Sequence, residues 1–182
     1  VAILQYNYPQ TYESLFACFK SGLGAVPINF RLHPKEFAFI IDHSESRAVI
    51  LSPEFNDSIM EVRDQIPNNR HLITLEGASG DILDYESILA DAADEFADVD
   101  VSADDLAWLF YTSGTTGFPK GVPGNHIGMT SYVNDVTEDV AGEYLREGGD
   151  VYIAINPLFH IMALGLFMAL GLNRGNTTLL MP

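Results

Sequence analysis

The chain has 182 residues, 47% of them apolar and 11% aromatic, which excludes a disordered polymer and suits one globular domain or a large part of one. Its formal charge is −16, from 25 acidic against 9 basic residues, and this argues against nucleic acid and anionic membrane surfaces, which both ask for basic patches. A single cysteine, Cys18, excludes an internal disulfide framework; within LFACFK it reads as a small buried side chain, in keeping with a reducing, cytoplasmic setting.

VAILQY, at the start, reads as a strand already under way, with no initiator methionine and no charged-then-apolar leader, and both ends are expected to be cuts from a longer polypeptide. A helix is predicted from Pro9 to near Gly22, with Leu15, Phe16 and Phe19 on one face. AVPIN then gives a short strand, PKEFAFIIDHS a helix opened by Pro34, and RAVILS a strand. A helix is expected over Pro53 to Gln65 and a strand at HLITLE, after which an acidic run, residues 84–105, reads as a short helix and a solvated connection. DLAWLFYT has the bulk of a strand buried on both faces. Beyond a glycine-rich stretch, Asn125 is placed to cap a helix running to about Leu145. DVYIAIN forms a strand, HIMALGLFMALGL a helix and NTTLLMP a last strand. The apolar run Ile161 to Leu172 has 12 residues, short of the roughly 20 that a membrane span needs, so it reads as a buried helix and no transmembrane segment is expected. Such alternation predicts an α/β fold with a largely parallel sheet.

The chemistry concentrates in YTSGTTGFPKGV, Tyr111 to Val122. A nucleotide-triphosphatase P-loop is excluded, because Pro119 stands before Lys120 and no hydroxyl follows it; GxGxxG is absent as well. Phosphate chemistry remains open. Glycines 114, 117 and 121 allow sharp turns and bare amides, and Thr112, Ser113, Thr115 and Thr116 offer donors. A threonine hydroxyl also suits magnesium, which prefers hard oxygen. Lys120 is the first cation after Arg70, beyond eleven carboxylates. The loop follows the carboxyl end of a strand, where open α/β sheets gather ligands. A plain surface connection is the competing reading.

The residue order then carries a resemblance. YTSGTTGFPKGV resembles the phosphate loop of the adenylate-forming (AMP-binding) superfamily, GAVPINFRLHPKEFAFIIDHSESRAVI (residues 24–50) resembles its acyl-CoA synthetases, and NPLFH (156–160) resembles the segment that follows their loop. Asn29, Arg31, Leu32, Glu36 and the Thr115-Thr116 pair favour the acyl- or aryl-CoA ligase side over peptide-synthetase adenylation domains.

The resemblance implies an ATP-dependent acid–thiol ligase: a carboxylic acid and ATP give an acyl adenylate and pyrophosphate, and coenzyme A then takes the acyl group. The expected fold is part of the large N-terminal domain of such an enzyme, residues 1–182, with the phosphate loop at 111–122. By resemblance Ser113, Gly114, Thr115, Thr116, Gly117 and Lys120 hold the β- and γ-phosphates, and Thr112 joins them and the magnesium shell, unless its hydroxyl bonds its own backbone. Lys120 and His160 are the candidate catalytic residues; His160 reads either as a helix cap or as a group beside the acid. His126 reads as structural, and Trp108 and Tyr111 as core. Phe159, Met162 and Leu166 are candidate pocket walls, and Pro123 departs from the family's pattern.

The family's YGxTE segment, its ribose-gripping aspartate, its hinge and its C-terminal domain with a second lysine do not occur in these residues, so the chain is expected to be inactive alone. An adenylation domain that loads a carrier protein, or a non-catalytic nucleotide- or acyl-binding module, are the alternatives. Fatty, aromatic and short acids all stay open, with a fatty or aryl acid the expected partner, and the oligomeric state is open too.

Overall fold

The computed structural model describes residues 1–96, 99–112, 119–142 and 146–181. Five strands, β1 (Ala2–Leu4), β2 (Val26–Pro27), β3 (Ala48–Leu51), β4 (His71–Thr74) and β5 (Ile82–Asp84), form a sheet in the order β2-β1-β3-β4-β5. Every neighbouring pair is parallel, as the alternating pattern predicts. Parallel neighbours require crossovers, and α1 (Pro9–Lys20) and α2 (Pro34–His43) supply the first two.

Both helices start at a proline, whose missing N–H costs nothing in a first turn. At α2 the cap is reciprocal: Lys35 N–H donates to His33 Nδ1 at 3.3 Å, and His33 N–H donates to Glu36 Oε2 at 2.8 Å. The sheet has a core on each side. Ala2 and Leu4 pack with Phe37, Ile40 and Ile41 of α2 on one face, while Ile3 packs with Leu15, Cys18 and Phe19 of α1 on the other. Each such large side chain contributes roughly 1.5–3 kcal/mol through burial. Phe16, expected on the buried stripe of α1, is only half-buried.

The expected helix over 53–65 is broken. It becomes a 3-10 turn (Pro53–Phe55), the short α3 (Asn56–Glu61) and a second 3-10 turn (Arg63–Gln65). The Arg63 guanidinium donates to the carbonyls of Ile66 and Asn69 at 3.0 and 2.9 Å, which folds the chain away from a helical path. The acidic stretch contains the short α4 (Tyr85–Ala90), capped by the Asp84 carboxylate, which accepts from Ser87 N–H at 2.9 Å.

β6 (Leu106–Thr112) lies beside β2: Ala25 N–H donates to Ala107 O at 2.9 Å, and Leu109 N–H donates to Ala25 O at 2.8 Å, in a parallel bridge. β6 then pairs antiparallel with β7 (Lys120–Asn125), so the predicted loop joins two strands of a hairpin and does not lead straight to a helix. Strand β7 was not foreseen because KGVPGN holds two glycines and a proline, all depleted in strands.

The structure explains each of the three. Gly124 lies opposite Trp108, and a Cβ there would come within 2.0 Å of the indole Nε1. Gly121, read above as a phosphate-loop glycine, lies opposite Tyr111, and its Cβ would stand 3.1 Å from Leu109 and 3.4 Å from the Tyr111 ring. Both glycines therefore make room for aromatic side chains. Pro123 pairs with Leu109, whose N–H points toward β2, so the pair is a non-hydrogen-bonded one and the proline nitrogen faces away from β6. Pro123 removes no bond from the ladder.

β6 packs on both faces, as expected: Trp108 and Phe110 belong to one core, and Leu109 and Tyr111 pack against the other. Its ends are more open, with Leu106 41% exposed and Tyr111 half-buried beside a cleft. Asn125 caps α5 (His126–Val136) as expected, its Oδ1 accepting from Gly128 N–H at 3.0 Å. A π-helical turn, Thr137–Ala141, extends α5; the predicted end at Leu145 lies outside the described residues.

β8 (Val151–Ala154) and β9 (Thr177–Leu180) pair in parallel, joined by α6 (Ile161–Leu166) and a π-helical continuation, Phe167–Asn173. The apolar run is a buried helix as predicted, with Leu164 fully buried and Phe167 stacked on Tyr12 at 3.6 Å between ring centroids. Among the described residues no helix is long and apolar enough to cross a membrane.

Candidate functional site

Thr112 and Lys120 are the cross-strand pair at the turn end of the β6–β7 hairpin. Directly opposite residues in an antiparallel ladder project their side chains to the same face, with Cβ atoms about 4.5–5.5 Å apart. Both are exposed. The hairpin thus sets a hydroxyl and an ammonium group side by side, one at each end of the connection 113–119. Ser113, Gly114, Thr115, Thr116 and Gly117, the other expected phosphate contacts, lie outside the described residues. Among the described residues Lys120 makes no ion pair.

Thr112 lines a cleft of about 470 Å³ at the carboxyl ends of β2 and β6, and Lys120 lies opposite Thr112 in the ladder. Phe110, Tyr111 and Thr112 form one wall, Leu32, Glu36 and Ile40 another, and Phe159, His160 and Ile161 a third. The lining is largely apolar with a few polar groups, the composition expected where a small organic molecule is held and oriented. Asn29, Leu32 and Glu36, which in the sequence mark the ligase side, line the cleft. Of the three candidate pocket walls only Phe159 takes part, whereas Met162 is 52% exposed and Leu166 lies off the lining.

The two readings of His160 prove compatible. It is the N-cap of α6, its Nδ1 accepting from Met162 N–H at 3.3 Å. An imidazole that accepts at Nδ1 carries its proton at Nε2 when neutral, so the capping bond leaves an N–H donor on the other side of the ring. The residue lines the cleft. Phe159 beside it is fixed edge-to-face against Phe30 at 5.1 Å.

Trp108 is core, as expected, whereas Tyr111 belongs to the cleft. Burial pushes the Tyr111 phenol up from its ordinary value, so it stays protonated at neutral pH, and its hydroxyl shares a hydrogen bond with His43 Nδ1 at 2.7 Å. His126 keeps its structural reading as the first residue of α5, with its ring edge-on to Phe19 at 6.3 Å. Cys18 is 3% exposed, and burial pushes its thiol up, away from reactive thiolate.

Among the described residues no cluster of three or more His, Cys, Asp or Glu side chains is placed to hold a metal. The available donor chemistry, a threonine hydroxyl next to a phosphate-suited lysine, fits magnesium carried by phosphate oxygens and water better than an all-protein cage.

Architecture and cleft together define an α/β domain of the adenylate-forming type. A fatty acyl CoA synthetase of Mycobacterium tuberculosis has the same architecture, with a TM-score of 0.76 and 30% identity over 100% of this chain and 34% of that one. The chain belongs to the AMP-binding enzyme family, which matches it over residues 1–182. Among curated relatives, 4-hydroxybutyrate--CoA ligase 2 of Metallosphaera sedula is 32% identical over 178 residues, 93% of this chain and 32% of the relative. The feruloyl-CoA synthase of an Amycolatopsis species is 34% identical over 183 aligned positions, 99% of this chain and 33% of the relative. The chain spans about a third of the length of these curated relatives.

Proposed function

We propose that this chain is the N-terminal part of an AMP-forming acid–coenzyme A ligase, the part that receives the phosphates of ATP and one side of the carboxylic acid. The observation that carries this reading is that Thr112, the cross-strand partner of Lys120, lines a mostly apolar cleft that His160 also lines. The two curated relatives described above are named as a CoA ligase and a CoA synthase, which favours coenzyme A over a carrier protein as acceptor.

The physical obstacle in such a reaction is charge. A carboxylate must approach an α-phosphate that already carries negative charge, in a protein of net charge −16. Lys120 contributes a compact cation where the β- and γ-phosphates would rest, and Thr112, with Ser113, Gly114, Thr115, Thr116 and Gly117, contributes hydroxyl and amide donors. Fixing the phosphates converts an encounter of two anions into an oriented, charge-balanced one. Thr112, with water and the phosphates, would hold magnesium, which would supply further neutralisation. His160 Nε2–H donates to the acid and orients it while Nδ1 keeps α6 capped. A cytoplasmic setting accords with ATP and coenzyme A as substrates and with the lone, buried Cys18.

The test is pyrophosphate exchange. The full-length protein is expected to exchange labelled pyrophosphate into ATP only when a carboxylic acid is present, and the 182-residue chain alone to show none. Acid-dependent exchange by the chain alone, or none by the full-length protein across short, fatty and aromatic acids, overturns the reading.

His160 separates cap from substrate contact. Asparagine caps helices well, so His160→Asn should hold the melting temperature, while His160→Ala loses about 0.5–2 kcal/mol of stability. Both should raise KM for the acid about tenfold or more, the equivalent of one bond to a charged group at about 1.5 kcal/mol. An acid KM unchanged in His160→Asn removes the residue from the acid site.

A further inference from the structure

Asn7 has no place in the chemistry derived so far, yet its side chain is more fully used than any in the cleft. It is 5% exposed and follows the end of β1. Its Nδ2 donates to Asn156 O at 3.1 Å and to Met181 O at 2.9 Å, and its Oδ1 accepts from Leu158 N–H at 3.0 Å. The three partners lie 149 to 174 residues away in sequence, so these bonds join the parallel sheet to the β8–β9 pair.

Asn7 is itself firmly placed. Tyr6 N–H donates to Ser52 Oγ at 3.1 Å, and Tyr6 O accepts from Thr11 Oγ1 and from Tyr8 N–H, both at 2.8 Å.

What Asn7 holds leads directly to the site. Leu158 belongs to a turn closed by His160 N–H donating to Pro157 O at 3.1 Å, and His160 then caps α6. Phe159, between them, packs on Phe30, which packs in turn on Tyr6 at 4.6 Å, next to Asn7 in the chain. Leu158 is 2% exposed, so its N–H has no water to turn to if Asn7 is lost.

We infer that Asn7 is the positioning residue that registers the Pro157–His160 turn against the parallel sheet, and so sets where His160 and Phe159 meet the acid. This rests on the ligase reading above. It also separates the two substrates: Asn7 governs the turn, while Thr112 and Lys120 stand on the hairpin, to which it makes no bond among the described residues.

Two measurements on the full-length protein test it. Ring nitrogen resonances of His160, assigned by their loss in His160→Asn, should show the Nε2–H tautomer in the wild type. In Asn7→Ala they should show a mixture of tautomers, with KM for the acid raised about tenfold and KM for ATP changed less than twofold. An unaltered tautomer, or equal rises in both KM values, overturns the inference.

Should Asn7→Ala fail to fold, Asn7→Asp decides. Facing two carbonyls its carboxyl stays protonated, keeps an oxygen for Leu158 N–H and donates one bond. It should retain the His160 tautomer, and a folded Asn7→Asp protein with mixed tautomers overturns the inference. A wild type without acid-dependent pyrophosphate exchange defeats the ligase reading alone, since the tautomer comparison still decides the role of Asn7.

Discussion

In the full-length protein, Lys120→Ala is expected to lower kcat/KM for ATP by roughly 10- to 150-fold, the loss of one charge-assisted contact of about 1.5–3 kcal/mol. The melting temperature should stay put, because the side chain is exposed and forms no ion pair among the described residues. KM for the acid should move little. Lys120→Arg is expected to recover only part of the loss, since a planar fork replaces a compact point charge. Steady-state kinetics with ATP varied, alongside a thermal melt, separate these outcomes. Unchanged ATP kinetics with an unchanged melt would remove Lys120 from the phosphate role and leave the hairpin end an ordinary exposed turn.

A second large effect concerns stability. Gly124→Ala should cost about 1–3 kcal/mol, because the new Cβ would stand 2.0 Å from Nε1 of Trp108, a side chain only 6% exposed. At roughly 2–4 °C per kcal/mol for a chain of this size, the melting temperature should fall by about 2–12 °C. The indole cannot swing aside freely, since Phe19 and Phe110 pack on it edge-to-face at 6.2 and 5.3 Å. If the clash is the cause, Trp108→Leu with Gly124→Ala should cost less than the two single changes added, by about 0.5–3 kcal/mol of coupling. Additive losses in that cycle would mean that Gly124 matters for another reason.

The parallel sheet was legible because its strands are short apolar runs punctuated by proline and glycine, and α1 and α2 announce themselves by proline at the first turn. Strand β5 was not, since in Ile82–Asp84 only Ile82 is buried and the neighbours are acidic. Strand β7 was hidden by residues that look like a loop until their cross-strand partners are known. The π-helical stretches keep the apolar pattern of an α-helix, so periodicity does not separate them.

Within the site, Thr112 and Lys120 were legible because they belong to one contiguous stretch. The wall made by Leu32, Glu36 and Ile40 was not, because α2 shows only an amphipathic pattern and the cleft exists only once β6 lies beside β2. Asn7 carries no local signal at all. Its meaning lies in three backbone groups from the far end of the chain.

The outward side of β7 bears on how the molecule meets its neighbours. An edge strand presents a row of unpaired donors and acceptors, a template onto which another chain can zip. Along β7 the N–H groups of Gly121 and Asn125 point outward, and between them, where a third donor would complete the row, stands Pro123. A strand arriving there finds its ladder broken at the midpoint and the pyrrolidine ring in its path. Among the described residues Pro123 thus breaks the outward row of donors along β7, on the same strand that begins with Lys120.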